Sequence, residues 1–100
     1  MRTAPNTSEL IERLKALKPS AVSRYKAKKI GLFGSFIRRQ QTASSDIDLL
    51  VEFEDEADLF DLAGLALFLE EELGRKVDVV PKRALREELR DSVLREVVAL

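Results

Sequence analysis

Residues 30–53 read IGLFGSFIRRQQTASSDIDLLVEF, and this stretch decides the fold class. A glycine-serine pair, Gly34 and Ser35, closes a short apolar run, and two aspartates one residue apart, Asp46 and Asp48, open the next run. Side chains alternate between the two faces of a strand, so both carboxylates point to one face and Ile47 points to the other. The pattern predicts two strands, the second with a carboxylate pair at its start.

The two halves of this stretch suggest a site for a cation and an anion. Neighbouring carboxylates repel each other unless a cation lies between them, and oxygen ligands suit Mg²⁺ that carries substrate phosphates. A glycine between a strand and a helix lets the backbone approach a ligand, and the N–H groups that follow can bind an anion. The alternative is an ordinary turn followed by an exposed acidic strand.

A third carboxylate interrupts a later apolar strand. Val77 and Val79 face one side of the predicted strand, and Asp78 faces the other. If this strand neighbours the second one, Asp78 joins Asp46 and Asp48, and three carboxylates on adjacent strands would hold two divalent ions for an in-line phosphoryl displacement. Otherwise Asp78 is a surface aspartate on an edge strand.

Composition excludes several other kinds of chemistry. The 100 residues form one domain, and they contain neither cysteine nor histidine. Disulfides, cysteine nucleophiles, Ser-His-Asp triads and zinc sites built on thiolate or imidazole are therefore excluded. Carboxylates, hydroxyls, lysines and arginines remain.

Charge and hydropathy bear on partners and location. The 17 basic and 18 acidic residues nearly cancel, which argues against general affinity for nucleic acid or membranes. The charges are nevertheless separated, because 1–29 is basic and 50–74 is acidic. No apolar run reaches membrane-spanning length, and the start lacks the apolar core of a signal peptide, so we expect a cytoplasmic protein.

Hydrophobic periodicity and capping residues predict alternating helices and strands. The predicted strands are 29–33, 46–53 and 75–80. The first predicted helix is capped by Asn6 or Ser8 and interrupted at Pro19, a second covers 20–27, and a short one covers 35–39. Another helix covers 59–73, between Asp58 and Gly74, and the last carries an apolar stripe from Leu85 to Leu100. This order predicts an α+β fold with a small three-stranded mixed sheet flanked by about four helices. The single domain divides into N-terminal helices (1–28), a catalytic core (29–80) and a C-terminal helix (81–100).

The motifs resemble a known family. Gly34-Ser35, ten intervening residues, Asp46-Ile47-Asp48 and the later strand residue Asp78 resemble the signature of the DNA polymerase β-like nucleotidyltransferase superfamily. The short chain and its FGSFIR and SDIDLLVEF segments are most similar to the minimal nucleotidyltransferase (MNT) domain proteins. The resemblance extends from about residue 30 to residue 80.

This resemblance implies an activity and a set of roles. The reaction would transfer a nucleoside monophosphate, AMP from ATP, to an acceptor hydroxyl and release pyrophosphate. Gly34 and Ser35 match the positions that hold the β and γ phosphates. The metal-binding positions, which would hold two Mg²⁺ ions, are Asp46, Asp48 and Asp78. The third of these, Asp78, would also help to deprotonate the acceptor.

Three neighbouring residues matter for the phosphate-binding loop. Arg38 matches a basic position of the family and is a candidate phosphate contact, although it is also consistent with a solvated helix residue. The chain departs from the family at Arg39, where glycine is usual, and at Ile37, where a small residue is common. Arg39 either extends the preceding helix or adds a positive charge to the loop.

The resemblance also implies a partner. Family members of this size resemble antitoxins that pair with a helical HEPN-domain ribonuclease toxin, on which a tyrosine hydroxyl is adenylylated. A small catalytic domain without an acceptor lobe fits this arrangement. The apolar residues of helix 59–73 extend around most of its surface, and two interpretations fit this pattern. Either the helix lies between the sheet and the N-terminal helices, or one side of it binds another protein in a homodimer or hetero-oligomer.

Two other functions are compatible with the sequence. The first is a non-catalytic antitoxin that neutralises its toxin by binding alone. The second is a small RNA-binding or RNA-modifying module, suggested by the basic N-terminal segment. The near-neutral net charge argues against the second, and the three strand carboxylates favour an enzyme over pure occlusion.

Overall fold

The computed structural model describes residues 6–42 and 44–100. Within those residues the chain forms three α-helices, two single-turn 3₁₀ helices and four strands. The helices are α1 (Thr7–Tyr25), α2 (Leu59–Leu73) and α3 (Glu87–Glu96), and the 3₁₀ turns are Gly34–Phe36 and Lys82–Ala84. The strands are β1 (Ala27–Phe33), β2 (Ile47–Phe53), β3 (Val77–Pro81) and β4 (Val98–Ala99). They form one mixed sheet in the order β3-β2-β1-β4.

Strand pairing brings the predicted site segments together. β2 and β3 are parallel, with Asp48 opposite Asp78, so the third predicted strand does neighbour the second. β1 is antiparallel to β2 and places Phe33 opposite Asp48. The end of β1 therefore lies beside Asp48, and Asp78 lies one strand further along the sheet. The α+β class is confirmed, with four strands rather than three and three α-helices rather than about four.

The first helix is longer than the sequence suggested. The Asn6 side chain caps it by accepting the N–H of Ser8 at 2.7 Å and that of Glu9 at 3.4 Å. The predicted interruption at Pro19 is wrong, because α1 continues through this residue to Tyr25. Proline removes one backbone hydrogen bond, but buried residues on both sides of it, including Leu14 and Ala21, pack into the core and hold the two halves in one helix.

Side chains divide the sheet into two faces. One face packs against α1 and α2. The core between them contains the fully buried Leu32 of β1, Leu49 of β2 and Leu65 of α2. The other face packs against α3 through a smaller cluster that contains Leu50, Leu85 and Val93. The strand aspartates share this second, less filled face with Leu50.

The C-terminal segment differs from the predicted single helix. α3 ends at Glu96, and Val98–Ala99 forms β4 antiparallel to β1. The backbone N–H of Leu100 also donates to the Ile30 carbonyl at 3.0 Å. The stripe from Leu85 to Leu100 therefore does not lie on one helix. β4 supplies partners to an edge of β1 that would otherwise present unpaired backbone groups, and β-branched Val98 suits a strand.

Helix α2 begins and ends at the predicted residues. Asp58 and Asp61 form a reciprocal capping box, and Gly74 ends the helix with a φ of 65°. The interpretation that α2 lies between the sheet and the N-terminal helix holds for its buried residues. Three large apolar side chains remain largely exposed: Leu59 at 76%, Phe60 at 85% and Leu67 at 66%. No helix among residues 6–42 and 44–100 is long and apolar enough to span a bilayer.

Candidate active site

Gly34 places the backbone directly against a strand aspartate. It follows β1 with a φ of +84°, in the left-handed region that glycine adopts without strain. A Cβ at this position would overlap the Asp48 carboxylate. Glycine is therefore required here for two reasons, its backbone conformation and its close approach to Asp48.

The segment after Gly34 is a tight turn and not the short α-helix predicted over 35–39. The Gly34 carbonyl accepts the N–H groups of Ile37 and Arg38, both at 3.1 Å, and the Ser35 carbonyl accepts that of Gln40 at 2.9 Å. In an α-helix Gln40 would instead donate to Phe36. The Phe36 carbonyl accepts the Thr7 hydroxyl at 2.8 Å, so a contact from α1 replaces the helical bond.

Arg39 ends this turn in a left-handed conformation, with a φ of 58°. Of the two alternatives considered for this residue, extension of the helix is wrong. The structure also gives a physical reason why a glycine would suit the position, since non-glycine residues pay a steric cost at positive φ. Arg39 adds its charge to an exposed loop.

The three predicted carboxylates lie at the same end of the sheet. Asp48 is half-buried and Asp78, its partner in the parallel register, is exposed. Asp46 is exposed and comes directly before β2. Burial raises the pKa of Asp48 above its ordinary value, and the charges of Asp78 and Asp46 raise it further, whereas Arg38 lowers it. The aspartates therefore form a repulsive group that the Arg38 guanidinium partly offsets.

A cavity of about 440 Å³ joins four of the six predicted site residues. Gly34, Arg38, Asp48 and Asp78 line it, whereas Ser35 and Asp46 do not. Its opposite wall comes from α3 and the segment before it. A cavity of this size suits a small-molecule ligand, and its lining includes part of the turn predicted to bind phosphate and two of the three predicted carboxylates.

Metal binding was a prediction for Asp46, Asp48 and Asp78. Among the residues that the structure describes, no group of three or more acidic residues is arranged closely enough to hold a metal ion. The pair Asp48 and Asp78 is brought together by strand register, while Asp46 lies at the edge of the group. The metal roles of these three residues stay predictions.

Sequence reasoning missed the part of the cavity wall that α3 supplies, including an acidic residue that contacts the turn. Glu96, the last residue of α3, accepts the backbone N–H of Gly34 at 3.1 Å and forms an ion pair with Arg38 at 3.0 Å. A sequence signal existed, because a negative charge at a helix C-terminus is unfavourable and calls for a compensating partner. The signal does not say which partner, since Arg38 is 58 residues away in the chain.

Comparison with known proteins agrees with this geometry. A family model described as a nucleotidyltransferase domain matches residues 9–100. The chain belongs to the nucleotidyltransferase domain family. The resemblance noted in the sequence is thereby confirmed, together with the enzyme class.

Individual relatives of this nucleotidyltransferase domain are similar over most of its length. The protein adenylyltransferase MntA of Thermococcus cleftensis is 41% identical over 85 residues, which cover 85% of this chain and 86% of that protein. A solved structure of a minimal nucleotidyltransferase has 41% identity and a TM-score of 0.83, covering 96% of this chain and 97% of that chain. A tri-AMPylated Shewanella oneidensis HEPN toxin in complex with an MNT antitoxin gives 26% identity and a TM-score of 0.60, covering 94% and 67%.

Proposed function

We propose that this nucleotidyltransferase domain transfers AMP from ATP to a hydroxyl of a partner protein, and that it thereby acts as an antitoxin. One observation carries the proposal: the Gly34 turn lies against Asp48 in the cavity that Asp78 and Arg38 also line. A phosphate-binding element and carboxylates in one cavity are the parts that nucleotidyl transfer needs.

The phosphate contacts are assigned to the turn after β1. The backbone N–H of Gly34, the Ser35 hydroxyl and the Arg38 guanidinium would hold the β and γ phosphates and fix the direction in which pyrophosphate leaves. Gly34 suits this role because its backbone lies directly against Asp48, where any side chain would overlap the carboxylate. Ser35 is half-buried within the same turn.

The carboxylates are assigned to metal binding and to the acceptor. Asp46, Asp48 and Asp78 would hold two Mg²⁺ ions, and because the described residues contain no preformed group of three acidic ligands, ion binding would have to draw Asp46 toward the other two. Burial and then repulsion from Asp78 and Asp46 raise the pKa of Asp48, and a divalent cation would relieve that repulsion. The ions would supply charge neutralisation at the transferred phosphate. Asp78 would accept the proton of an incoming hydroxyl, and its exposure and its position in the cavity lining support this role.

The proposed acceptor is a tyrosine hydroxyl of a HEPN-domain toxin. The similarity to an MNT antitoxin in complex with an AMPylated HEPN toxin supports this partner. The exposed apolar side chains of α2, Leu59, Phe60 and Leu67, are also typical of a surface that another protein covers. Association with the partner would bring the acceptor to a domain that is too small to bind it within a separate lobe.

The test is transfer of label to a candidate HEPN partner in the presence of Mg²⁺ and ATP carrying ³²P at the α phosphate. We expect labelled partner with the unmodified chain and a loss of at least about 100-fold in Asp48→Asn. Glu52→Gln is the matched control, because Glu52 lies on the same strand and the same face, four residues along, and should leave transfer unchanged. Tight binding of the partner without transfer would replace the enzymatic proposal with inhibition by occlusion.

A further inference from the structure

The carboxylate of Glu96 occupies the donors of the phosphate-binding turn. Its Oε2 accepts the Gly34 N–H at 3.1 Å, and the Arg38 Nη1 donates to Oε1 at 3.0 Å and to Oε2 at 3.3 Å. One side chain of α3 thus holds both the backbone donor and the guanidinium of the turn. Its side chain is only 19% exposed, so the carboxylate lies within the cavity wall and not in open solvent.

A backbone N–H and a guanidinium around one anion are the arrangement that also binds a phosphate oxygen. The two donors are those proposed above for the β and γ phosphates. The single N–H of Gly34 cannot serve Glu96 and a phosphate at once, and the Glu96 carboxylate also places a negative charge beside Arg38, where the phosphate would lie. The carboxylate therefore imitates the ligand, in charge and in hydrogen bonds.

The position of Glu96 is unfavourable for an acidic residue, both at the end of its helix and beside the other carboxylates of the cavity. It ends α3, where the helix dipole disfavours negative charge, and it faces a cavity that already contains Asp48 and Asp78. Arg38 is the cation that lowers this cost. The pair is also open to exchange, because the Arg38 side chain is 52% exposed and the contact can break by rotation of side chains alone.

We infer that Glu96 is an internal competitor for the triphosphate, so that nucleotide binds only when this side chain leaves Gly34 and Arg38. The inference rests on the proposed function and adds to it a residue that sets nucleotide affinity. The observed affinity then equals the intrinsic affinity reduced by the fraction of molecules in which the turn is free. Release of Glu96 raises that fraction.

The competing interpretation is that Glu96 is a positioning residue, here called a clip, which holds the Arg38 guanidinium in the orientation that binds phosphate. The two interpretations predict opposite results when the carboxylate is removed. A competitor lowers nucleotide affinity, so its loss tightens binding. A clip raises affinity by holding Arg38 in place, so its loss weakens binding.

The experiment is calorimetric titration of the full chain with Mg²⁺-ATP and, separately, with inorganic tripolyphosphate and Mg²⁺. We expect Glu96→Gln and Glu96→Ala to bind both probes about tenfold more tightly than the unmodified chain, if the turn is free in about one molecule in ten. Glu88→Gln is the control, because Glu88 is exposed at the other end of the same helix and should leave affinity unchanged. Tripolyphosphate isolates the phosphate contacts from those of the base and ribose.

Each result decides the question. Tighter binding of both probes by the Glu96 variants supports the competitor, whereas equal or weaker binding overturns it and leaves the proposed function standing. Absence of binding in the unmodified chain and in all variants overturns the proposed function and this inference with it. Circular dichroism checks the fold of Glu96→Ala, and the more conservative Glu96→Gln, which keeps the size of the side chain, decides the outcome if the alanine variant is unfolded.

A second readout follows the contact without nucleotide. The amide resonance of Gly34 in a ¹⁵N–¹H correlation spectrum should shift in Glu96→Gln, since a hydrogen bond to a charged oxygen is replaced by a weaker one. Addition of tripolyphosphate should move the same resonance in the unmodified chain. An amide of Gly34 that does not respond to loss of the Glu96 charge contradicts the contact itself.

Discussion

The two faces of the sheet are built from alternate residues of the same strand, yet they differ in how completely they are filled. Toward α1 and α2, Leu49 and Val51 of β2 are fully buried in a continuous core. Toward α3, Asp48 lines a cavity and Leu50 belongs to a much smaller apolar cluster. The difference indicates that the face toward α1 and α2 supplies most of the apolar packing, whereas the face toward α3 leaves a cavity lined by charged side chains, which we propose binds the nucleotide.

The strongest test of this contrast compares two adjacent leucines. Leu49→Ala should cost about 3–5 kcal/mol of unfolding free energy, because the residue is fully buried among α1, α2 and the sheet. Leu50→Ala should cost less, about 2 kcal/mol, since the smaller cluster beside the cavity loses fewer contacts. Urea denaturation of both variants measures the difference. Equal costs would show that the α3 face contributes as much to stability as the other.

A second pair compares two glycines that share a left-handed conformation. Gly34 has a φ of 84° and Gly74 a φ of 65°, but a Cβ would overlap Asp48 only at Gly34, and at Gly74 it would meet no atom within 4 Å. Gly74→Ala should therefore cost about 1 kcal/mol for the backbone alone. Gly34→Ala should cost about 2 kcal/mol or more, because Asp48 must also move.

The same pair separates stability from function. Gly34→Ala should lose Mg²⁺-ATP binding in calorimetry at a temperature where the variant is folded, whereas Gly74→Ala should bind as the unmodified chain does. Loss of binding in both variants would mean that the effect comes from general destabilisation. Retention of binding in Gly34→Ala would contradict the assignment of the turn to phosphate.

The sequence predicted those features that short-range patterns determine. Alternation predicts that Ile47 and Leu49 lie on the face opposite to Asp48, and Asp58 and Gly74 predict the ends of α2. The glycine before the tight turn is recognisable because it closes an apolar run, and the later Asp78 because it interrupts an apolar strand. These features depend on the side-chain period and on capping within a few residues, which are visible in one stretch of chain.

The sequence did not predict features that contacts between distant residues determine. α1 continues through Pro19 because core residues on both sides hold it, and residues 35–39 form a turn because Thr7 takes the Phe36 carbonyl. β4 forms because β1 offers an edge, and Glu96 reaches a turn 58 residues away. No local period signals such contacts, since their partners are joined only by the fold.

Arg39 offers a smaller test within the turn that follows β1. Arg39→Gly should raise the free energy of unfolding by about 0.5–1 kcal/mol, because relief of the left-handed backbone outweighs the greater freedom of glycine in the unfolded chain. The comparison is Lys26→Gly, because Lys26 follows α1 with a similar φ of 60°. Its gain in unfolding free energy should be smaller, since the variant also loses the 3.4 Å ion pair between Lys26 and Asp61. Thermal unfolding compares the two. Destabilisation by Arg39→Gly would mean that the arginine side chain makes contacts that exceed the cost of its backbone conformation.

The smallest expected effect concerns two aspartates whose pKa values move in opposite directions. The pKa of Asp48 is raised, mainly by burial and then by Asp78 and Asp46, so the folded chain binds a proton there more tightly than the unfolded chain. Stability therefore falls as pH rises from the ordinary value of 3.8 through the higher folded pKa, and the cost persists at neutral pH. The pKa of Asp61 is lowered, chiefly by its hydrogen bond to the Asp58 backbone, so its stabilising contribution is present above 3.8 and is lost as pH falls through the folded pKa.

Thermal unfolding in EDTA should therefore separate Asp48→Asn from Asp61→Asn. At pH 7 the first variant should be more stable than the unmodified chain, by less than about 1 kcal/mol because solvent screens the half-exposed carboxylate, and the gain should vanish below pH 3.8. The second variant should be less stable at pH 7, with a deficit that shrinks on acidification. If Asp48→Asn were less stable than the unmodified chain at neutral pH, the ionised Asp48 would stabilise the chain without any ligand. That result would contradict the interpretation that the carboxylates on the α3 face lower the stability of the chain.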